Sequence, residues 1–131
     1  ALAPLLAHTH DLARRLHELD DDTALGELAS LVARLQHDLL PHEHSDEAEL
    51  YPKLAKKLGG DDPLAALSQS HREIFRLVRL LERMTADRAG NSSPSAPALP
   101  EIHSVLHRLD VVLDLHFTQE EELFHSFDPT G

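Results

Sequence analysis

In four stretches of this chain apolar residues, most of them leucine, recur every three or four positions, the spacing of amphipathic helices. The first, Pro4 to Leu19, carries Leu5, Leu6, Leu12, Leu16 and Leu19, with Pro4 suited to a first helical turn. The second, Ala24 to Leu58, carries Leu28, Leu31, Val32, Leu35 and Leu39. The third, Leu64 to Asp87, carries Leu67, Ile74, Leu77, Val78 and Leu81, and the fourth, Leu99 to Phe127, carries Ile102, Leu106, Leu109, Val112, Leu113 and Leu123. Breaks separate them. Asp20-Asp21-Asp22-Thr23 offers an N-cap, Gly59-Gly60 a helix stop, Asp61-Asp62-Pro63 a new start, and the Ser/Pro-rich run from Arg88 to Pro97 a loop. Pro41 and Pro52 fall inside the second segment, where a missing N–H and a ring clash predict a loosened turn directly before His42. The expected fold is all-α: an up-down-up-down four-helix bundle, with helices at about 4–19, 24–58, 64–87 and 99–127.

A chain of 131 residues makes one domain, 1–131, with a sizeable core. Aromatics are only 4%, so that core must be built from Leu, Val and Ala. The absence of cysteine excludes disulfides, zinc fingers and thiolate-bound clusters. A formal charge of −11 argues against nucleic acid and anionic membranes and favours cations. No apolar run approaches the roughly 20 residues of a bilayer span and no signal peptide is visible, so the expected location is cytoplasmic, without membrane contact. The chain starts at Ala rather than Met, so the expectation is either a piece cut from a longer protein, such as a transporter or signalling protein it would regulate, or a chain from which a leader or tag was removed.

The polar residues are as ordered as the leucines. Pro41-His42-Glu43-His44-Ser45-Asp46-Glu47-Ala48-Glu49-Leu50-Tyr51-Pro52 places a histidine, an acid one turn later and a Leu-aromatic anchor in sequence. The stretch His116-Phe117-Thr118-Gln119-Glu120-Glu121-Glu122-Leu123-Phe124 repeats that order. Residues four apart share a helix face, so each stretch aims an imidazole and a carboxylate at one target. His10-Asp-Leu-Ala-Arg-Arg-Leu and His71-Arg-Glu-Ile-Phe-Arg-Leu also match in spacing, which makes the bundle an internal repeat of two hairpins. A single His/acid pair of this kind is more often a surface ion pair. Four such features on the faces that meet in a bundle point instead to a metal, the natural partner for polar groups in a core. Eleven dispersed histidines without cysteine suit iron, manganese or zinc.

The order His10, His42-Glu43-x-x-Asp46, His71, His116-x-x-x-Glu120 resembles the hemerythrin family, in particular its cation-binding (HHE) branch, over nearly the whole chain. The resemblance implies two non-haem irons with an oxo or hydroxo bridge, held by His10, His42, Glu43, Asp46, His71, His116 and Glu120, with two carboxylates bridging. Manganese or zinc are substitutes. Two departures stand out. Oxygen-carrying members have a second histidine four residues after the one on helix three, and Phe75 stands there instead; Glu43 is the substitute, as in an iron-sensing branch. Asp46 stands where relatives carry Glu, so either Asp46 or Glu47 is the bridge. His17 shares the face of His10 and reads as a core histidine, one supporting a ligand, or an alternative ligand. His103 and His107, about opposite His116, read as solvated, and His8, His37, His44 and His125 as peripheral.

Seven protein ligands on two irons leave open positions for dioxygen, nitric oxide or peroxide. A carboxylate in place of an imidazole favours the ferric state, hence poor reversible oxygen carriage. The first expected function is binding or sensing dioxygen, nitric oxide or iron. The alternatives are a peroxide-consuming diiron enzyme and a regulatory domain of a larger protein. No nucleophilic triad, phosphate loop or dinucleotide motif supports another enzyme class.

Overall fold

A computed structural model describes residues 2–59, 62–90 and 96–127, apart from the side chains of Leu58, Asp62, Pro63 and 124–127. Every regular element in it is helical. The elements are α1 (Ala3–Arg15), a 3₁₀ turn (Leu16–Glu18), α2 (Asp21–Arg34), α3 (Leu40–Ser45), α4 (Tyr51–Leu58), α5 (Asp62–Gly90) and α6 (Leu99–Phe127). Gly60 and Asp61, the loop residues 91–95 and the Phe124 and His125 side chains lie outside the described residues. Among the described residues no helix is long and apolar enough to cross a membrane.

The first helix ends earlier than its leucine spacing suggests, because the chain tightens into the 3₁₀ turn at Leu16. α2 starts three residues before Ala24: Asp20 caps it, its carboxylate accepting from the Thr23 N–H at 3.2 Å and the Thr23 hydroxyl at 2.7 Å. α2, α3 and α4 form one continuous rod, joined by π-helical segments at Leu35–Leu39 and Asp46–Leu50. Each π segment sits just ahead of a proline. Pro41 and Pro52 cannot donate to the carbonyl four residues back, and the backbone answers with wider bonds, Leu40 N–H to Leu35 O and Tyr51 N–H to Asp46 O. Gly59 ends the rod with φ 77°, the left-handed cap that glycine adopts without steric cost.

Polar contacts give the helix register. Arg34 meets His8 and Arg15 meets Glu27, so α1 and α2 run antiparallel. Gln36 meets Glu82 and Asp21 meets Arg88, which does the same for the rod and α5. His10 meets Asp110 and His103 meets Ala13, fixing α1 against α6. The main core, including Leu12, Leu28, Leu35, Leu39, Ile74, Leu77, Leu106 and Leu109, fills one end. A smaller apolar cluster of Tyr51, Leu54, Leu64 and Leu67 lies toward the other. Between them the rod, α5 and α6 interrupt their apolar stripes with buried titratable residues: Glu43, His71, His116 and Glu120.

Candidate metal centre

Unpaired polar groups in a core cost several kcal/mol each, so the pairing of those four residues decides what the centre can do. α3 presents Glu43, α5 presents His71, and α6 presents His116 and, one turn on, Glu120. One ligand atom from each lies within 4.8 Å of all the others. Glu43 Oε2 touches His71 Nε2 and lies 3.0 Å from His116 Nε2, which in turn lies 3.1 Å from Glu120 Oε1. A second group adjoins the first: His42, Glu43 and Asp46 also bring ligand atoms within 4.8 Å. It lies nearer solvent, with the His42 side chain 47% exposed, Asp46 14%, and His42 Nε2 3.3 Å from Asp46 Oδ2. Glu43 belongs to both groups. Its Oε1 is buried without a hydrogen-bond partner.

The ring nitrogens facing away from the cluster are held as well. Ser70 Oγ donates to the Leu67 carbonyl at 2.9 Å, so its lone pair receives His116 Nδ1–H at 2.6 Å. That fixes His116 with Nε2 toward the carboxylates. His71 Nδ1 lies 2.7 Å from Glu47 Oε2, an equivalent arrangement with a carboxylate behind the ring. Such partners set a metal-binding histidine's tautomer and orientation. Tyr51 Oη donates to Glu120 Oε1 at 2.6 Å, lies 3.1 Å from His71 Nε2, and stacks its ring on that imidazole at 5.1 Å.

The charges lean on one another. Burial pushes the Glu43 carboxyl up, but bonds from His116 and His71 outweigh it and hold the group at about 2. Burial pushes His116 down, and Glu120 and Glu43 overcome that to raise it to about 9. His71 is raised too, its burial outweighed by Glu43 and Glu47. Burial raises Asp46, offset in part by His42 and reinforced by Glu120 and Glu43. Burial and the bond to Glu120 keep Tyr51 protonated throughout the accessible range. Without a cation, protons on the imidazoles hold the two buried carboxylates together. A divalent cation would replace those protons and satisfy Glu43 Oε1, so the residues fit a metal.

Of the sequence-predicted residues, His42, Glu43, Asp46, His71, His116 and Glu120 fall in the two groups. Glu47, 42% exposed, holds His71 from behind. Phe75 lies beside His71, at 6.1 Å between rings, and packs on His44 at 4.4 Å. His10 is placed elsewhere: its side chain is 59% exposed and its Nδ1 lies 2.9 Å from Asp110 Oδ2. Asp110 precedes His116 by six residues on α6, about 9 Å of helix rise. α1 turns Thr9 and Leu12 inward at that level instead. His17 is exposed on the 3₁₀ turn, which ends the helical face it was expected to share with His10. His103 is half-buried rather than solvated, its Nε2–H donating to the Ala13 carbonyl at 2.5 Å.

Two members of the centre do not stand out in the sequence: Tyr51 reads there as part of a Leu-aromatic anchor, and nothing in the pattern marks Ser70. At about 100° per residue, Tyr51 sits some 80° off the face of Glu43, and one residue absorbed by the π segment rotates it back. The signal was Pro52, directly after the chain's only tyrosine.

A comparison with protein families matches residues 3–127 to the Hemerythrin HHE cation binding domain. No curated protein and no solved structure matches the chain. With the match spanning almost all 131 residues and a buried His/Glu cluster in a helical bundle, the chain belongs to the hemerythrin HHE cation-binding family.

Proposed function

We propose that this domain binds two non-haem iron ions and uses their open positions to bind or sense dioxygen or nitric oxide, or to register iron itself. One iron would be held by Glu43, His71, His116 and Glu120, the other by His42, Glu43 and Asp46, with Glu43 shared. The observation that carries the reading is the Glu43 carboxylate, which belongs to both groups and keeps one buried oxygen unpartnered. Mixed imidazole and carboxylate donors without thiolate suit iron, with manganese or zinc as substitutes. Bound iron would supply redox chemistry and a vacant position for a small ligand. The chain's own part is orientation, through Glu47 behind His71 and Ser70 behind His116, and a proton held at Tyr51 Oη. This assignment uses six of the seven ligands implied by the family resemblance, and His10 stays with Asp110.

The Tyr51 hydroxyl supports a second reading, a peroxide-consuming enzyme, because a fixed hydrogen-bond donor beside the metals would stabilise the negative charge that develops as a peroxide O–O bond breaks. Anaerobic loading with ferrous iron, metal analysis and optical spectra after exposure to dioxygen, nitric oxide or peroxide test both. Two irons per chain and a diatomic-gas adduct support the first reading. Catalytic loss of peroxide without such an adduct supports the second, and no iron uptake defeats both.

A further inference from the structure

On the outside of the bundle, along the seam between α1 and α6, lies an open groove of about 570 Å³. Leu6 of α1 and Val111, Leu113 and Phe117 of α6 supply its apolar surface. Among the described residues, the large apolar side chains left exposed are Val111, at 61%, and Leu115, at 56%. One such residue alone on a surface needs no explanation. These two stand one turn apart on α6, and Val111 lines the groove itself, so together with its wall they form a continuous apolar patch.

The same groove is acidic. Asp110, Asp114 and Glu121 line it, and at about 100° per residue they fall within about 40° of one another on α6. That row runs between Leu113 and Phe117 on one side and Val111 and Leu115 on the other. His10 engages Asp110 at 2.9 Å, whereas Asp114 and Glu121 have no cationic partner among the described residues. No Lys or Arg lines the groove, and Arg108, the single one on α6, acts on Glu73 of α5 instead. The lining extends from His107 to Glu121, about 21 Å of rise, which suits a helix of about 14 residues. Two antiparallel helices offer a furrow in which a third can lie. Charge decides which kind. A second copy of this chain would set the acidic row against itself, and an anionic membrane would be repelled as well. A helix with Lys or Arg bordered by leucines complements both the row and the patch.

We propose that this groove docks a basic amphipathic helix of a partner protein, whose apolar side chains cover Val111 and Leu115 and whose cations meet Asp114 and Glu121. Fluorescence anisotropy of the full chain with a labelled helical peptide of Leu, Ala and Lys tests it, against a scrambled peptide of the same composition. The expected result is saturable, salt-sensitive binding of the amphipathic peptide and weak binding of the scrambled one. Val111→Ser/Leu115→Ser should weaken it about tenfold or more by removing the apolar anchors. Asp114→Asn/Glu121→Gln should weaken it to a similar degree and flatten its salt dependence. Asp87→Asn/Glu101→Gln, which removes as many charges at exposed positions outside the groove, should leave it unchanged. Circular dichroism checks that each variant folds; if the Val111/Leu115 variant does not, the Asp114/Glu121 variant carries the test. Equal affinity for the scrambled peptide, an equal loss in the Asp87/Glu101 control, or no saturable binding overturns the proposal. Sedimentation of the wild type as a dimer that Val111→Ser/Leu115→Ser returns to monomer assigns the face to a second copy and also overturns it.

Discussion

Replacing Glu43 by glutamine keeps the side chain's shape and removes the charge that both buried histidines lean on. The Glu43 side chain has no exposed surface, and its carboxyl is held at about 2 against an ordinary 4.5. Near neutral pH that difference corresponds to about 3 kcal/mol of folding stability. Breaking a buried ion pair costs about 3–5 kcal/mol by an independent route, because the partner charge is left stranded. The two agree on an expected loss of about 3 kcal/mol in metal-free Glu43→Gln, some 10 °C in Tm for a domain of this size. The sign with pH follows from the lowered pKa. The contribution is present above about 4.5 and is lost as pH falls through about 2, so wild type and variant should converge in acid. Urea denaturation in the presence of a chelator, at several pH values, measures this. A Glu43→Gln variant within about 0.5 kcal/mol of wild type at neutral pH would refute the claim that this carboxylate is the keystone of the centre.

Further outcomes follow from the neighbouring residues. His116, raised from 6.5 to about 9, contributes stability that is complete below 6.5 and lost as pH rises through about 9; the urea midpoint of metal-free protein should fall across that window and that of metal-loaded protein should not. Tyr51→Phe removes a buried donor to Glu120 and should cost about 1.5–3 kcal/mol without metal, read as a lower Tm. Ser70→Ala and Glu47→Gln should lower metal affinity about 10–100-fold without altering the number of ions bound, by competition with a chelator of known strength. His42→Ala, at a half-exposed position, should reduce bound iron from two toward one per chain while leaving metal-free stability almost unchanged, by metal analysis and melting.

Leucine spacing made the all-α class legible, because a face buried every 3.6 residues leaves the same trace in any helix. The loosened turn before His42 could also be read, since proline's missing donor is a local fact. His71, His116 and Glu120 stood out as polar residues on apolar stripes, and the structure buries all three. What could not be read was register between helices. Periodicity places His10 near the face of α1, but only packing against α6 sets it level with Asp110 rather than His116. The same gap hid the Ala13 carbonyl that half-buries His103. Ser70 was invisible for another reason. A serine in a helix interior bonds its own backbone in many proteins, and only the neighbouring α6 gives its lone pair a purpose.

The two prolines explain why one rod can furnish so much of the centre. In an unbroken α-helix His42, Glu43, Asp46, Glu47 and Tyr51 would spread over half the circumference, since at about 100° per residue Tyr51 falls opposite His42 and some 80° from Glu43. The π segment at Asp46–Leu50 absorbs one residue and swings Tyr51 back over Glu43, next to Glu120. The segment at Leu35–Leu39 does the same upstream, so Leu35 and Leu39 stay in the core while Glu43 still reaches His71 and His116. π-bulges are rare and cost backbone bonds of ordinary geometry, so they persist where the local sequence forbids the alternative. Here proline forbids it twice, eleven residues apart, once ahead of the carboxylate shared by the two groups and once behind the hydroxyl that closes them.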